Sequence, residues 1–146
     1  MCIRDSDYLV IYDNLINGKS RTIDNRVVPY ALYTEPELGR VGLSEREARK
    51  AGYKLKIGSV PMAYVARAIE RGETKGLMKI VINADNDRIL GATVLAPEGG
   101  ELVQILMTLM MADAPWTLFE NAMVIHPTLA EGIFALTANV EPADHP

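Results

Sequence analysis

Two apolar, β-branched runs, Gly76 to Asn83 and Arg88 to Leu95, flank the tetrapeptide Ala84-Asp85-Asn86-Asp87. Asp and Asn tolerate the backbone of a tight reversal, so this pattern predicts a β-hairpin. A hairpin makes its strands antiparallel, and few of the remaining strand-helix-strand connections are long enough for a parallel crossover. The expected fold class is therefore α+β, a mainly antiparallel sheet with flanking helices.

The other segments fit around that hairpin. Leu9, Val10, Ile11, Tyr12, Leu15 and Ile16 recur at helical spacing before an Asn17-Gly18 stop, which predicts a helix over 7–16. That helix either docks on the same core or ends a preceding domain. A polar linker over 19–26 leads into Val27 to Tyr33, a strand that Pro29 confines to an edge or a strand start. After a turn at Thr34 to Glu37 and a short extended piece from Gly39 to Leu43, Ser44-Glu45-Arg46-Glu47 matches a capping box. It predicts a helix to Ala51, stopped by Gly52. Alternation over Tyr53 to Val60 puts Tyr53, Leu55 and Ile57 on one face of a strand and lysines on the other, and Pro61 ends it. Residues 63–70 hold one or two helical turns before Arg71-Gly72. Beyond the hairpin, Glu101 to Ala112 reads as a helix apolar around most of its circumference, a pattern of burial on more than one side and of a subunit interface. Thr117 is expected to cap a short helix through Ala122, and Thr128 another running to about Thr137. The polar residues 141–146 are expected to fray as a disordered tail.

At 146 residues and 49% hydrophobic, the chain has the apolar content of one ordinary domain. A net charge of -4 without clustered Lys and Arg argues against a nucleic-acid partner. The most apolar segment, Leu102 to Met111, is interrupted by Gln104 and Thr108 and falls short of the ~20 residues that a membrane helix needs, so no membrane partner is expected. The single cysteine, Cys2, allows no disulfide framework, and the expected compartment is cytoplasmic. Cys2 lies in a leading stretch, Met1 to Ser6, without periodicity, and is not a candidate nucleophile. Neither a Gly-x-Gly-x-x-Gly run nor a phosphate loop occurs.

The most chemical segment is His126-Pro127-Thr128-Leu129-Ala130-Glu131. Imidazole changes charge near neutral pH, and a carboxylate five residues on can orient it, as a proton-handling pair requires. The same residues also have a structural reading: Thr128 and Glu131 form a Thr-x-x-Glu capping box, and a histidine beside a proline can serve packing alone. His145 lies in the tail, and His126 and His145 have no spacing that recommends a metal site. Met107, Met110 and Met111 suit adaptable interface packing better than a soft-metal box. Arg67 and Arg71 near Glu70 read as a solvated face, with a place at an active-site rim as the alternative.

Taken together, Val28-Pro29, Thr34-x-Pro36-Glu37, Val41-Gly42, the hairpin end Arg88-Ile89-Leu90-Gly91, Glu101 and His126-Pro127-Thr128-x-x-Glu131 resemble one family. This is the C-terminal dimerisation domain of the FAD-dependent pyridine nucleotide-disulfide oxidoreductases, which include dihydrolipoyl dehydrogenase, glutathione reductase and mercuric reductase. The likeness covers about residues 27–138 and is strongest to mercuric-reductase-like members. It implies a dimerisation domain over 27–140, preceded in residues 1–26 by the remnant of an FAD domain and a linker. It also implies FAD and NAD(P)H in the intact enzyme, a homodimer, and missing FAD and NAD(P)H domains on the same polypeptide. In such enzymes the histidine of the His-Pro motif acts as acid-base at the disulfide of the other subunit, which carries over to His126. The orienting glutamate carries over to Glu131. His126 and Pro127 would then stand against the cofactor. A thiol attacks as thiolate, so a group that accepts and returns its proton has a clear task there.

The chain contains neither the glycine loops nor the redox cysteine pair, so this piece alone is expected to bind no cofactor and to be inactive. It ends in Ala143-Asp144-His145-Pro146 without vicinal cysteines, and mercury chemistry is not expected. A different class of reading is an autonomous, non-catalytic homodimerisation module of the same fold. A hydrolase built on His126 lacks a nucleophile.

Overall fold

A computed structural model describes residues 3–24 and 26–143. Cys2 and His145, both singled out in the sequence, lie outside them. The elements in chain order are α1 (Ile3–Leu15), β1 (Pro29–Leu32), β2 (Glu37–Gly42), α2 (Glu45–Lys50), β3 (Leu55–Pro61), a 3-10 turn at Met62–Tyr64, α3 (Ala66–Arg71), β4 (Leu77–Asn83), β5 (Ile89–Ala96), α4 (Gly99–Met111), α5 (Thr117–Glu120), α6 (Glu131–Thr137) and β6 (Val140–Pro142). The strands form one six-stranded sheet in the order β1-β2-β5-β4-β3-β6, and every neighbouring pair is antiparallel. The expected α+β class stands.

The hairpin is the middle of the sheet. Its loop is closed by Asp87 N–H donating to Asn83 O at 2.9 Å, while the Asn83 side-chain oxygen accepts from Asp85 N–H at 3.0 Å. Pro29 opens the edge strand, where its missing N–H removes no ladder bond.

Alternation along β4 sends Met78, Ile80 and Ile82 to one face, where α6 packs on the strand and they join residues of α4 and α6 in the main core. Val81 points to the other face and joins Ala48 of α2 and Leu55 in a smaller cluster. This division corrects the expected polarity of β3. Leu55 and Ile57 do share a face, the one beneath α2, but the opposite face is not simply polar: Gly58 and Val60 on it are buried. A Cβ on Gly58 would come within 2.9 Å of Leu136 O, so α6 packs directly against the strand there. Tyr53 precedes the strand and is 40% exposed.

Two further expectations are corrected. Thr117 does not cap α5, since Trp116 occupies the cap position and no side-chain cap bond forms. That helix starts where a tertiary tether holds it: Trp116 donates its backbone N–H to Asp87 O and its indole N–H to Asp87 Oδ1. The tail expected to fray from residue 141 instead begins as a strand. β6 pairs with β3, and Ala143 N–H donates to Leu55 O at 2.9 Å.

Neither core cluster includes a residue of α1. Its Tyr8, Ile11 and Leu15 are exposed. Asp13 ties the helix to the loop behind it by accepting from Asn17, Arg21 and Lys19, and these bonds, Asn17 and Arg21 foremost, lower its carboxyl pKa to about 2.

Candidate functional site

α4 packs across β1, β2 and β5, and α6 across β3 and β4, so the two helices share one face of the sheet. Residues 121–130 join α5 to α6 at the end of that layer and carry His126 on an exposed loop, in which the His126–Pro127 peptide is cis. Leu129 on the loop and Ile133 and Leu136 on the helix are buried in the core. They anchor the frame from which His126 projects with its side chain 67% exposed.

His126 and Glu131 meet. Nδ1 of the imidazole lies 2.9 Å from both Oε1 and Oε2 of Glu131. With Nδ1–H donating to the carboxylate, Nε2 is the ring atom left to accept or return a proton. Glu131 is the more sheltered partner, with its side chain 24% exposed.

The structural alternative, a reciprocal capping box, is realised fully at the other candidate and half-way here. At α2, Ser44 Oγ accepts from Glu47 N–H, and Glu47 Oε2 receives Ser44 N–H at 2.8 Å and the Ser44 hydroxyl at 2.6 Å. At α6, Thr128 Oγ1 likewise accepts from Glu131 N–H at 3.0 Å, but the hydroxyl donates to Ile125 O. Both carboxylate oxygens of Glu131 face the ring. Thr128 is thus not the cap expected of it, since Ala130 holds the cap position, but its hydroxyl still accepts the N–H of Glu131, the first residue of α6.

Two aromatic residues beside the pair escaped the sequence reading. Tyr64 and Phe134 line a hollow of about 120 Å³ together with Glu131 and Gly132. Phe134 sits three residues past Glu131, on the same helix flank, and was legible at that spacing. Tyr64 arrives through the 3-10 turn after β3, which no local pattern announces.

The remaining candidates lie elsewhere. Arg67 pairs with Glu70 at 2.9 Å, and Arg71 with Glu73 and Glu98, both at 2.6 Å, so the two arginines are held in surface ion pairs. Met107 and Met110 pack against the main core, whereas Met111 is exposed. Among the described residues no group of three His, Cys, Asp or Glu side chains is placed to hold a metal ion. No helix among them is long and apolar enough to cross a membrane. An open groove of about 550 Å³ on the α2 side of the sheet is lined by Arg40, Arg46, Arg49 and Lys79, with Glu45 bridging the last two.

This geometry coincides with a family match. The model of the pyridine nucleotide-disulphide oxidoreductase dimerisation domain matches residues 28–136. The chain is 31% identical over 128 residues to a protein named "Probable pyridine nucleotide-disulfide oxidoreductase RclA" from Escherichia coli strain K12, covering 87% of this chain and 29% of that protein. It is 41% identical over 118 residues to a dihydrolipoyl dehydrogenase of Thermus scotoductus, covering 80% and 25%. The structure of the HOCl-induced flavoprotein disulfide reductase RclA from Escherichia coli superposes with a TM-score of 0.86 at 30% identity, over 91% of this chain and 31% of that one. The chain therefore spans under a third of the length of these relatives. Matched in sequence and in fold over most of its length, the chain belongs to the dimerisation-domain family of the pyridine nucleotide-disulphide oxidoreductases.

Proposed function

We propose that this chain is the interface end of an FAD-dependent NAD(P)H disulfide oxidoreductase, in which His126 and Glu131 form the acid-base pair for a disulfide held by a partner protomer. The observation behind this reading is the orientation of Glu131. Its carboxylate engages the imidazole through both oxygens, while its backbone N–H alone serves the helix start. A glutamate retained only for capping would reach back as Glu47 does.

In thiol-disulfide exchange a thiol must lose its proton to attack, and the sulfur that leaves must gain one or be stabilised as thiolate. His126 Nε2 takes the proton from the attacking thiol as the new S–S bond forms and the old one breaks, and then returns it to the departing sulfur. Glu131 holds the ring through Nδ1–H and stabilises the imidazolium between those two events. When bound, FAD would supply two-electron transfer between the nicotinamide and the redox disulfide.

The hollow beside the pair, about 120 Å³, is well under the roughly 300–1,000 Å³ of sites that enclose a ligand. His126 and Pro127 would accordingly meet the flavin as one wall of a site completed by other domains, and the isolated chain is expected to bind neither FAD nor NAD(P)H. The exposed apolar residues of α1, outside both cores, fit the end of a preceding FAD domain, with residues 1–26 as that remnant and its linker.

The test is His126→Gln in the full-length polypeptide that carries this chain. Flavin content and its reduction by NAD(P)H should match the unmodified enzyme, and disulfide turnover should fall by about 10²–10⁴. Unchanged turnover would overturn the proposal.

A further inference from the structure

We infer that Thr128 is the positioning residue of the His126–Glu131 pair, a role beyond helix capping; the inference rests on the acid-base reading above. Its hydroxyl makes two bonds. As donor it holds Ile125 O at 3.0 Å, the carbonyl of the peptide that leads into His126. As acceptor it holds the N–H of Glu131 at 3.0 Å. One oxygen atom therefore pins the backbone on the imidazole side to the backbone on the carboxylate side.

The Ser44–Glu47 box shows what this geometry avoids. There the hydroxyl donates to the glutamate's own carboxylate, so Glu47 Oε2 is occupied by the cap. Thr128 spends its proton on Ile125 O instead, which leaves both oxygens of Glu131 for Nδ1. The donor direction of this one hydroxyl decides whether the carboxylate serves the helix or the imidazole. Losing it has two consequences: the loop is untied from the helix, and the 2.9 Å contacts between Nδ1 and the Glu131 carboxylate lose the hydrogen bonds that hold their two backbones together. Thr128 touches no reacting atom in this scheme; it acts through His126.

The experiment compares Thr128→Val, which keeps the shape and removes the hydroxyl, with Thr128→Ser, which restores it. In the present chain, nitrogen-15 spectra of the neutral His126 ring should show the Nδ1–H tautomer in the unmodified protein and in Thr128→Ser. A mixture containing Nε2–H is expected in Thr128→Val. In the full-length flavoenzyme, Thr128→Val should lower kcat for disulfide turnover about 10- to 100-fold with KM and flavin reduction by NAD(P)H unchanged, and Thr128→Ser should recover it. A residue that only capped α6 would lower the unfolding midpoint and leave tautomer and kcat alone, and that result would overturn the inference. If Thr128→Val does not fold, Thr128→Ala takes its place under the same tautomer and kcat criteria, since it too removes the hydroxyl that joins Ile125 O to the Glu131 N–H. His126→Gln separates the two claims. A slow His126→Gln beside a Thr128→Val of normal rate and tautomer removes only the role of Thr128. A normal rate for His126→Gln removes the acid-base reading, and with it any catalytic meaning of the positioning.

Discussion

Gly39 in β2 lies directly beneath Gly99 at the head of α4: a Cβ on Gly39 would stand 2.2 Å from Gly99 O and 2.9 Å from Val103 Cβ. Two residues earlier on the same face of the strand, the Glu37 carboxylate accepts the Gly100 N–H at 3.0 Å, satisfying one of the free amides at the start of α4. The segment Glu37-Leu38-Gly39 is thus the seat of α4, one residue type supplying clearance and the other supplying the bond.

Gly39→Ala should therefore force the helix away from the sheet, since the obstruction is backbone and not the end of a flexible side chain. The expected loss of stability is about 1–3 kcal/mol, the range for overpacking a close contact. Urea unfolding followed by circular dichroism measures it, and an unchanged midpoint would mean that α4 does not sit this close to β2.

The contrast between the two Thr/Ser-x-x-Glu sequences gives a second outcome. Glu47→Ala removes the return half of a complete capping box and should cost about 0.3–1.5 kcal/mol. Glu131→Ala leaves the Thr128–Glu131 N–H bond in place and loses only the contact to an exposed imidazole, so it should change stability by no more than about 0.5 kcal/mol. Parallel thermal melts decide between them. Equal losses would indicate that Glu131 serves the helix after all.

Those two boxes also show where the sequence is legible. Ser44-x-x-Glu47 and Thr128-x-x-Glu131 follow one pattern, yet the second carboxylate turns to an imidazole five residues back, while the Thr128 hydroxyl donates to Ile125 O and the Ser44 hydroxyl to its own glutamate. The hairpin, the Pro29 edge and the α2 cap were readable, since each depends on residues adjacent in the chain. The seating of α5 was not: it depends on Trp116 reaching Asp87, 29 residues away in sequence. Nor was the pairing of β6, where Glu141 and Pro142, residues with little strand character, follow Val140 along the edge of β3. The face of β3 was half readable, because alternation places Leu55 and Ile57 together but cannot reveal that a helix also covers the side of Gly58 and Val60.

Asp87 gives a pH-dependent prediction. Its carboxylate accepts from Lys56 Nζ at 2.7 Å and from the Trp116 indole at 3.2 Å, and these bonds, Lys56 first, hold its pKa below the ordinary carboxylate value. A folded-state pKa below the unfolded one stabilises fully above the unfolded value of about 3.9, and the contribution is lost as pH falls through the folded value. Asp87→Asn keeps a residue that tolerates the left-handed φ of 59° at this position and removes the titration. Between about pH 5 and pH 3 the variant's urea midpoint should fall less steeply than that of the unmodified chain. Parallel slopes would show that the Lys56–Asp87–Trp116 cluster contributes nothing to acid sensitivity.

The same end of the molecule that bears His126 exposes Leu118, Met123 and Ile125, apolar side chains for which the chain supplies no cover. Along α4, by contrast, Leu102, Val103 and Leu106 are spent on the chain's own sheet, and only Met111 at the last turn stands fully open. The family to which this chain belongs is a dimerisation domain, and the exposed Leu118, Met123 and Ile125 around His126 form an apolar segment that a second copy would remove from water. Sedimentation equilibrium of the chain should therefore give a dimer. Ile125→Asp should shift it to monomer with an unchanged circular dichroism spectrum, because placing a carboxylate in a dry interface is unfavourable while leaving it in water costs the monomer nothing. Met111→Asp should weaken the dimer less, since it stands at the end of α4 and outside that segment. A monomeric unmodified chain would sink this assignment, and a dimer insensitive to Ile125→Asp but broken by Met111→Asp would move the interface to α4.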